Sequence, residues 1–196
     1  MIIVITPYVE LNDWHIKRLC TIESQIVGVI LRTPMDGQQL KRWTIQLLAN
    51  GFPKSKVIMH TDLALAIELG ITNVHFKEGD SRAAMLKKKC PHYQVSMSTH
   101  SAAMVREAKT QQLDFVLFGH LFPTASKPEV PPQTQTEITD VLAIEFPIVA
   151  LGGVTADTVH QVASHFTGIA CISSAFGHEL QQFDKMTQKW RLKKVE

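Results

Sequence analysis

Eight short apolar runs, rich in β-branched residues and bounded by polar turns, alternate along this chain with segments of helical periodicity. They occupy residues 2–6, 27–32, 56–59, 73–76, 94–98, 115–118, 148–151 and 168–173. All read as strands buried on both faces, as in a parallel sheet covered by helices. Amphipathic segments at 14–23, 38–50, 63–69, 101–110, 138–144, 155–164 and 179–191 fill the intervals, with a short basic one near 81–89. Asn50-Gly51 and Gly70 mark helix stops, while Asp62, and Thr155 with Asp157 behind it, mark helix starts. Alternating β-α units can lie open as a doubly wound sheet or close on themselves. Eight is the closing number, so the sequence predicts a (β/α)8 TIM barrel spanning residues 1–196 as one domain.

Composition narrows the function. With 196 residues at 45% hydrophobic content, the chain fills one core and has no room for a second. Its net charge of +2 comes from 20 basic and 18 acidic residues that are dispersed, apart from Lys87-Lys88-Lys89 and a basic tail at 191–194. Such a pattern excludes a nucleic-acid footprint and points to a small-molecule partner. Cys20, Cys90 and Cys171 form no CxxC pair, which suits a reducing, cytoplasmic compartment. The apolar N-terminal run at 1–7 is too short for a membrane span and lacks a basic flank or cleavage site, so it reads as a buried strand. Trp14, Trp43 and Trp190 offer surface for a homo-oligomer, on which the sequence is otherwise silent.

In such a barrel the chemistry gathers on the loops that follow the strands. The loop after the sixth run, from Gly119-His120 through Pro128 to Gln133, is the longest. Thr124, Ser126 and Lys127 give it two hydroxyls and an ammonium suited to a phosphate, and its prolines reduce the cost of ordering it. After the seventh run, Leu151-Gly152-Gly153-Val154 lets bare backbone approach a ligand, and Ile172-Ser173-Ser174 follows the eighth. This pair of turns is where barrels often dock a phosphate. His120, directly after a strand, suits proton transfer near neutral pH, although a lone histidine there is also a common hydrogen-bonded core residue. Arg32 ends the second run and suits an anionic group or a surface salt bridge. His60, His75 and His100 end the third, fourth and fifth, and a metal held by all three is geometrically open. No second carboxylate or cysteine joins them, so the reading assigns no metal and no cofactor.

Four loop strings are specific enough for a family. Ser98-Thr99-His100-Ser101, Gly119-His120-Leu121-Phe122-Pro123-Thr124-Ala125-Ser126-Lys127, Ala150-Leu151-Gly152-Gly153-Val154 and Gly168 to Ser173 together resemble the thiamine phosphate synthase superfamily. The resemblance implies a thiazole phosphate subsite of Thr124, Ala125, Ser126, Gly153, Ile172 and Ser173, with Ser98, Lys127 and Gly152 beside it. Synthases of that superfamily join a pyrimidine pyrophosphate to a thiazole phosphate with magnesium, whereas its thiazole tautomerases aromatise a carboxylated thiazole phosphate by moving a proton. Where synthases carry Gln-x-Arg-x-Lys, this chain has Ile30-Leu31-Arg32-Thr33-Pro34, keeping only the arginine. Around Met59-His60 it lacks the Asn-Asp pair of the magnesium site, leaving Asp80 as a lone match. Gly119-His120 in place of Gly-Pro, and Val130-Pro131-Pro132 downstream, resemble the tautomerase branch. The resemblance therefore implies a tautomerase with His120 as its proton carrier and Arg32 near the carboxylate. A divergent synthase and a non-catalytic thiazole-phosphate sensor stand as alternatives.

Overall fold

A computed structural model describes residues 1–126 and 128–195. Eight parallel strands, β1 (Ile2–Ile5), β2 (Gly28–Leu31), β3 (Val57–His60), β4 (Asn73–Phe76), β5 (Gln94–Thr99), β6 (Phe115–Gly119), β7 (Ile148–Leu151) and β8 (Gly168–Cys171), close into a barrel in chain order. β1 closes it by pairing with both neighbours, Ile3 opposite Gly28 and Ile2 opposite Ile169. Helices α1 (Asp13–Ile22), α2 (Gly37–Ala49), α3 (Leu63–Leu69), α4 (Arg82–Lys89), α5 (Ala102–Thr110), α6 (Gln135–Leu142), α7 (Ser173–Phe176) and α8 (Leu180–Lys193) occupy the connections and the C-terminal segment. Among the described residues no helix is long and apolar enough to cross a membrane.

Alternation along each strand divides the core in two. Ile2, Val4, Val29, Leu31 and Phe118 face the helices, while Ile3, Ile5, Ile30, Phe115, Leu117 and Val149 fill the barrel interior. On β4 and β5 the inward positions are polar instead. Asn73 donates to the carbonyls of Ser55 and Val57 at 2.7 and 3.2 Å, and the His75 ring lies between two hydroxyls, Nδ1 2.8 Å from Ser96 Oγ and Nε2 2.9 Å from Ser98 Oγ. A buried imidazole is tolerated because both of its nitrogens have partners.

The expected helix starts and stops are present where a local side chain or a glycine enforces them. Asp62 accepts from the Leu65 N–H to start α3, and Gly70 ends it in the left-handed conformation at φ 63°. Three expectations need correction. The helix expected at 155–164 is a turn followed by a single 3-10 turn, Val159–Gln161. There the Thr158 hydroxyl donates to the Gly153 carbonyl at 2.7 Å, and the Thr155 hydroxyl accepts from the N–H groups of Asp157 and Thr158. Side chains that bond local backbone in this way compete with helix. The eighth strand stops at Cys171 rather than at residue 173, because Ser173 already begins α7. α6 starts three residues before the expected 138, where Thr134 and Glu137 form a capping box.

Burial, with His60 nearby, pushes the His75 pKa down to about 3. An unfolded imidazole titrates near 6.5. Between those values the unfolded chain binds a proton that the folded chain does not, so stability falls as pH drops, by up to about 1.4 kcal/mol per pH unit. The thermal midpoint is expected to decline from pH 7 to pH 5, with a shallower decline in His75→Gln by calorimetry. An unchanged slope in that variant would remove His75 as the cause.

Candidate functional site

The strand C-termini surround a cavity of about 440 Å³. Its floor is the apolar interior, where Ile5, Ile30, Leu117 and Ala170 line it. Of the residues expected to form a site, Arg32, Ser98, His120, Thr124, Ser126, Gly152, Gly153, Ile172 and Ser173 all line this cavity. Ala125 does not; it borders a separate groove with Pro123, Thr124 and residues 128–132. Lys127 lies outside the described residues.

His120 is nearly buried, and its Nε2 is 3.0 Å from the carbonyl of Val130. A carbonyl can only accept, so in the neutral ring the proton sits on Nε2 and Nδ1 keeps its lone pair. The backbone fastens the residue on both sides. Leu121 N–H donates to the Leu151 carbonyl at 2.9 Å, Phe122 N–H to Gly152 at 3.1 Å, and Gln133 N–H to the His120 carbonyl at 2.9 Å. A side chain at Gly152 would place its Cβ 2.0 Å from the Cβ of His120, and one at Gly153 would lie 2.6 Å from the Pro123 carbonyl. Both glycines have positive φ, 96° and 66°, so neither shape nor conformation admits another residue cheaply.

Gly153 and Ser173 line the cavity, and Ser174 lines the groove next to it. The N–H groups of Gly153, Ser173 and Ser174 make no hydrogen bond to the described residues, and Ser174 Oγ is occupied in donating 2.8 Å to the Val154 carbonyl. Together with the hydroxyls of Thr124, Ser126 and Ser173 at the cavity wall they offer the kind of donor set that holds a phosphate.

The facing wall comes from the β2 to β5 side and carries the charge. Thr6 Oγ1 grips Arg32 through its backbone, accepting from its N–H at 2.8 Å and donating to its carbonyl at 2.7 Å. The Arg32 guanidinium carbon lies 4.7 Å over the Tyr8 ring. His60 stacks on His75 with ring centroids 6.0 Å apart. Burial, then the Arg32 and Lys77 cations, pushes its pKa down to about 4, so it stays neutral near pH 7. Lys77 and Glu78, which the sequence analysis did not single out, also line the cavity. Their signal was positional: they follow β4 directly, as Arg32 follows β2.

Magnesium, which the synthase branch implies, does not fit these residues. It needs carboxylate oxygens in near-octahedral array. Asp80 is absent from the cavity lining and gives both oxygens to Arg82, at 3.0 Å to Nε and 2.6 Å to a terminal nitrogen. That contact holds its pKa below the usual carboxylate range. Glu78 Oε2 lies 2.6 Å from His100 Nδ1. The three strand-end histidines do not converge either, since both His75 nitrogens face serines, and among the described residues no group of three or more His, Cys, Asp or Glu could hold a metal ion.

Comparison with known proteins places this chain in a family. The family model described as thiamine monophosphate synthase matches residues 19–175. The chain is 29% identical over 147 residues to the thiamine-phosphate synthase of Chlorobium phaeovibrioides, covering 72% of this chain and 70% of that one. It is 32% identical over 123 residues to that of Lysinibacillus sphaericus, covering 60% and 57%. The chain thus spans under three-fifths of the length of the latter, and the Listeria welshimeri relative is matched over 59% of its length. Among solved structures, a thiamine phosphate pyrophosphorylase from Pyrococcus furiosus superposes with a TM-score of 0.71 at 19% identity, covering 99% of this chain and 95% of that one. A 3-hexulose-6-phosphate synthase from Salmonella typhimurium gives 0.69 at 13% identity, with coverage of 98% and 100%, so these two likenesses speak to the barrel alone. With the family model matched from within α1 through α7, this chain belongs to the thiamine monophosphate synthase family.

Proposed function

We propose that this barrel is a thiazole tautomerase of thiamine biosynthesis, converting a carboxylated thiazole phosphate tautomer to its aromatic form with His120 as base and acid. The observation that carries the reading is the Nε2 contact of His120 with the Val130 carbonyl, which leaves Nδ1 as an acceptor on a residue that lines the cavity. Nδ1 takes the proton from the ring carbon that bears the carboxylate. The freed electron pair moves into the ring, the exocyclic double bond shifts inward, and the same imidazolium returns a proton to the exocyclic carbon. Proton number and charge balance without any further reactant. Aromatisation supplies the driving force, and the protein supplies position and a proton carrier.

Gly153, Ser173, Thr124 and Ser126 hold the phosphate in this scheme, and Arg32 faces the carboxylate. No step passes through a metal, in keeping with the poor fit of magnesium to Asp80 and Glu78. The names of the relatives favour a second reading, coupling of a pyrimidine pyrophosphate to a thiazole phosphate.

Two assays separate these readings. In His120→Asn, isomerisation followed by absorbance is expected to fall at least ~100-fold, the scale of a lost general base, with phosphate-ligand affinity by calorimetry within a few-fold of the parent. Near-normal turnover would remove His120 from the mechanism. Supplied with magnesium and both phosphorylated halves, the protein is expected to form no thiamine phosphate, and sustained product formation would replace the tautomerase reading by the synthase one.

A further inference from the structure

We propose that Arg32, Lys77 and the Ser98 hydroxyl form a carboxylate subsite across the cavity from the phosphate donors, and that Lys77 sets the preference for a carboxylated ring. The inference rests on the tautomerase reading for the identity of the ligand, but its geometry is independent of any reaction.

Strand order supplies the first argument. In a closed ring of eight, β4 stands opposite β8 and β2 opposite β6. Lys77, just after β4, therefore faces the side of Ser173, and Arg32, just after β2, faces the side of His120. A ligand whose phosphate rests on the β7 and β8 turns extends its far end toward the two cations.

Charge supplies the second. Arg32 and Lys77 have no carboxylate partner among the described residues. Glu78, the acidic side chain in the lining, is bonded to His100, and Asp80 is held by Arg82. Both cations act on the same side chain, His60, so they border one stretch of the wall. The phosphate donors on the other wall are largely neutral N–H and O–H groups, so the full positive charges are placed for a second anion.

Hydrogen-bond direction supplies the third. Ser96 is 1% exposed, and its hydroxyl has one partner, His75 Nδ1. To avoid an orphaned donor it donates to Nδ1, which puts the His75 proton on Nε2. Nε2–H then donates to Ser98 Oγ, and the Ser98 hydrogen is left to donate into the cavity that Ser98 lines. His75 and Ser96 thus act as positioning residues that make Ser98 a donor, which is what a carboxylate requires.

Calorimetry with two inert ligands tests this: the aromatic thiazole phosphate with its ring carboxylate, and the same compound without it. The parent protein is expected to bind the carboxylated ligand at least ~10-fold more tightly, equivalent to about 1.4 kcal/mol. Lys77 is exposed, so Lys77→Met should fold normally. In that variant the ratio is expected to fall below about threefold, with affinity for the ligand lacking the carboxylate within twofold of the parent. A ratio preserved in Lys77→Met, or absent in the parent, overturns the subsite. The tautomerase reading fails separately: a parent that shows the ratio and its loss but does not turn over the tautomer keeps the subsite and loses the enzyme assignment.

Discussion

The loop after β6 and the turn after β7 claim the same space, and glycine is what lets them share it. A Cβ on Gly119 would sit 2.0 Å from the Leu151 carbonyl oxygen, and one on Gly152 2.0 Å from the His120 Cβ. With those atoms missing, two backbones come into direct contact, and the bonds from Leu121 to Leu151 and from Phe122 to Gly152 lock them in register. This contact places His120 against Gly152, the residue before the Gly153 donor. In the proposed reaction a proton carrier is useful only if its distance to the anchored end of the ligand is fixed, and His120 and the glycine turn belong to one interlocked unit on β6 and β7.

The opposite wall works through charge rather than through close backbone contact. Burial, and then the nearby Arg32 and Lys77 cations, depress the basicity of His60, so the histidine beside the cations is kept neutral. His75 shares the leading cause, burial, and is enclosed completely between two hydroxyls. The cavity therefore has a cationic side on β2 and β4 and the His120 imidazole on β6. In the proposed reaction that separation is useful, because negative charge develops toward the carboxylate while the base stands across the ring from the fixed cations.

The barrel was legible because strand periodicity, turn residues and the number of units all gave one answer. The site was partly legible for a related reason: a residue directly after a strand reaches the mouth whatever its type, so Arg32, His120, Gly152 and Ser173 could be placed by position. Lys77 and Glu78 occupy the same kind of position after β4 but belong to no familiar string, and charged residues at a strand end usually read as solvated. The pairings were not legible at all. That Ser96 would meet the His75 ring depends on which inward positions of neighbouring strands pair, and register is a tertiary fact. The missing helix at 155–164 shows the same limit at shorter range, since Thr155, which suggested a cap, closes a tight turn from which Thr158 bonds back to Gly153.

That last substitution of turn for helix bears on the site itself. A helix beginning at Thr155 would draw the chain away from the mouth immediately after the glycine pair. Instead the Thr158 hydroxyl holds the Gly153 carbonyl, and Ser174 holds that of Val154 from the far side of the β7–β8 gap. With the carbonyls on either side of the turn occupied, the N–H of Gly153 stays unbonded beside those of Ser173 and Ser174. The helix is given up locally, and the polarity of the turn is fixed in return: acceptors satisfied inside the chain, donors left for an anion.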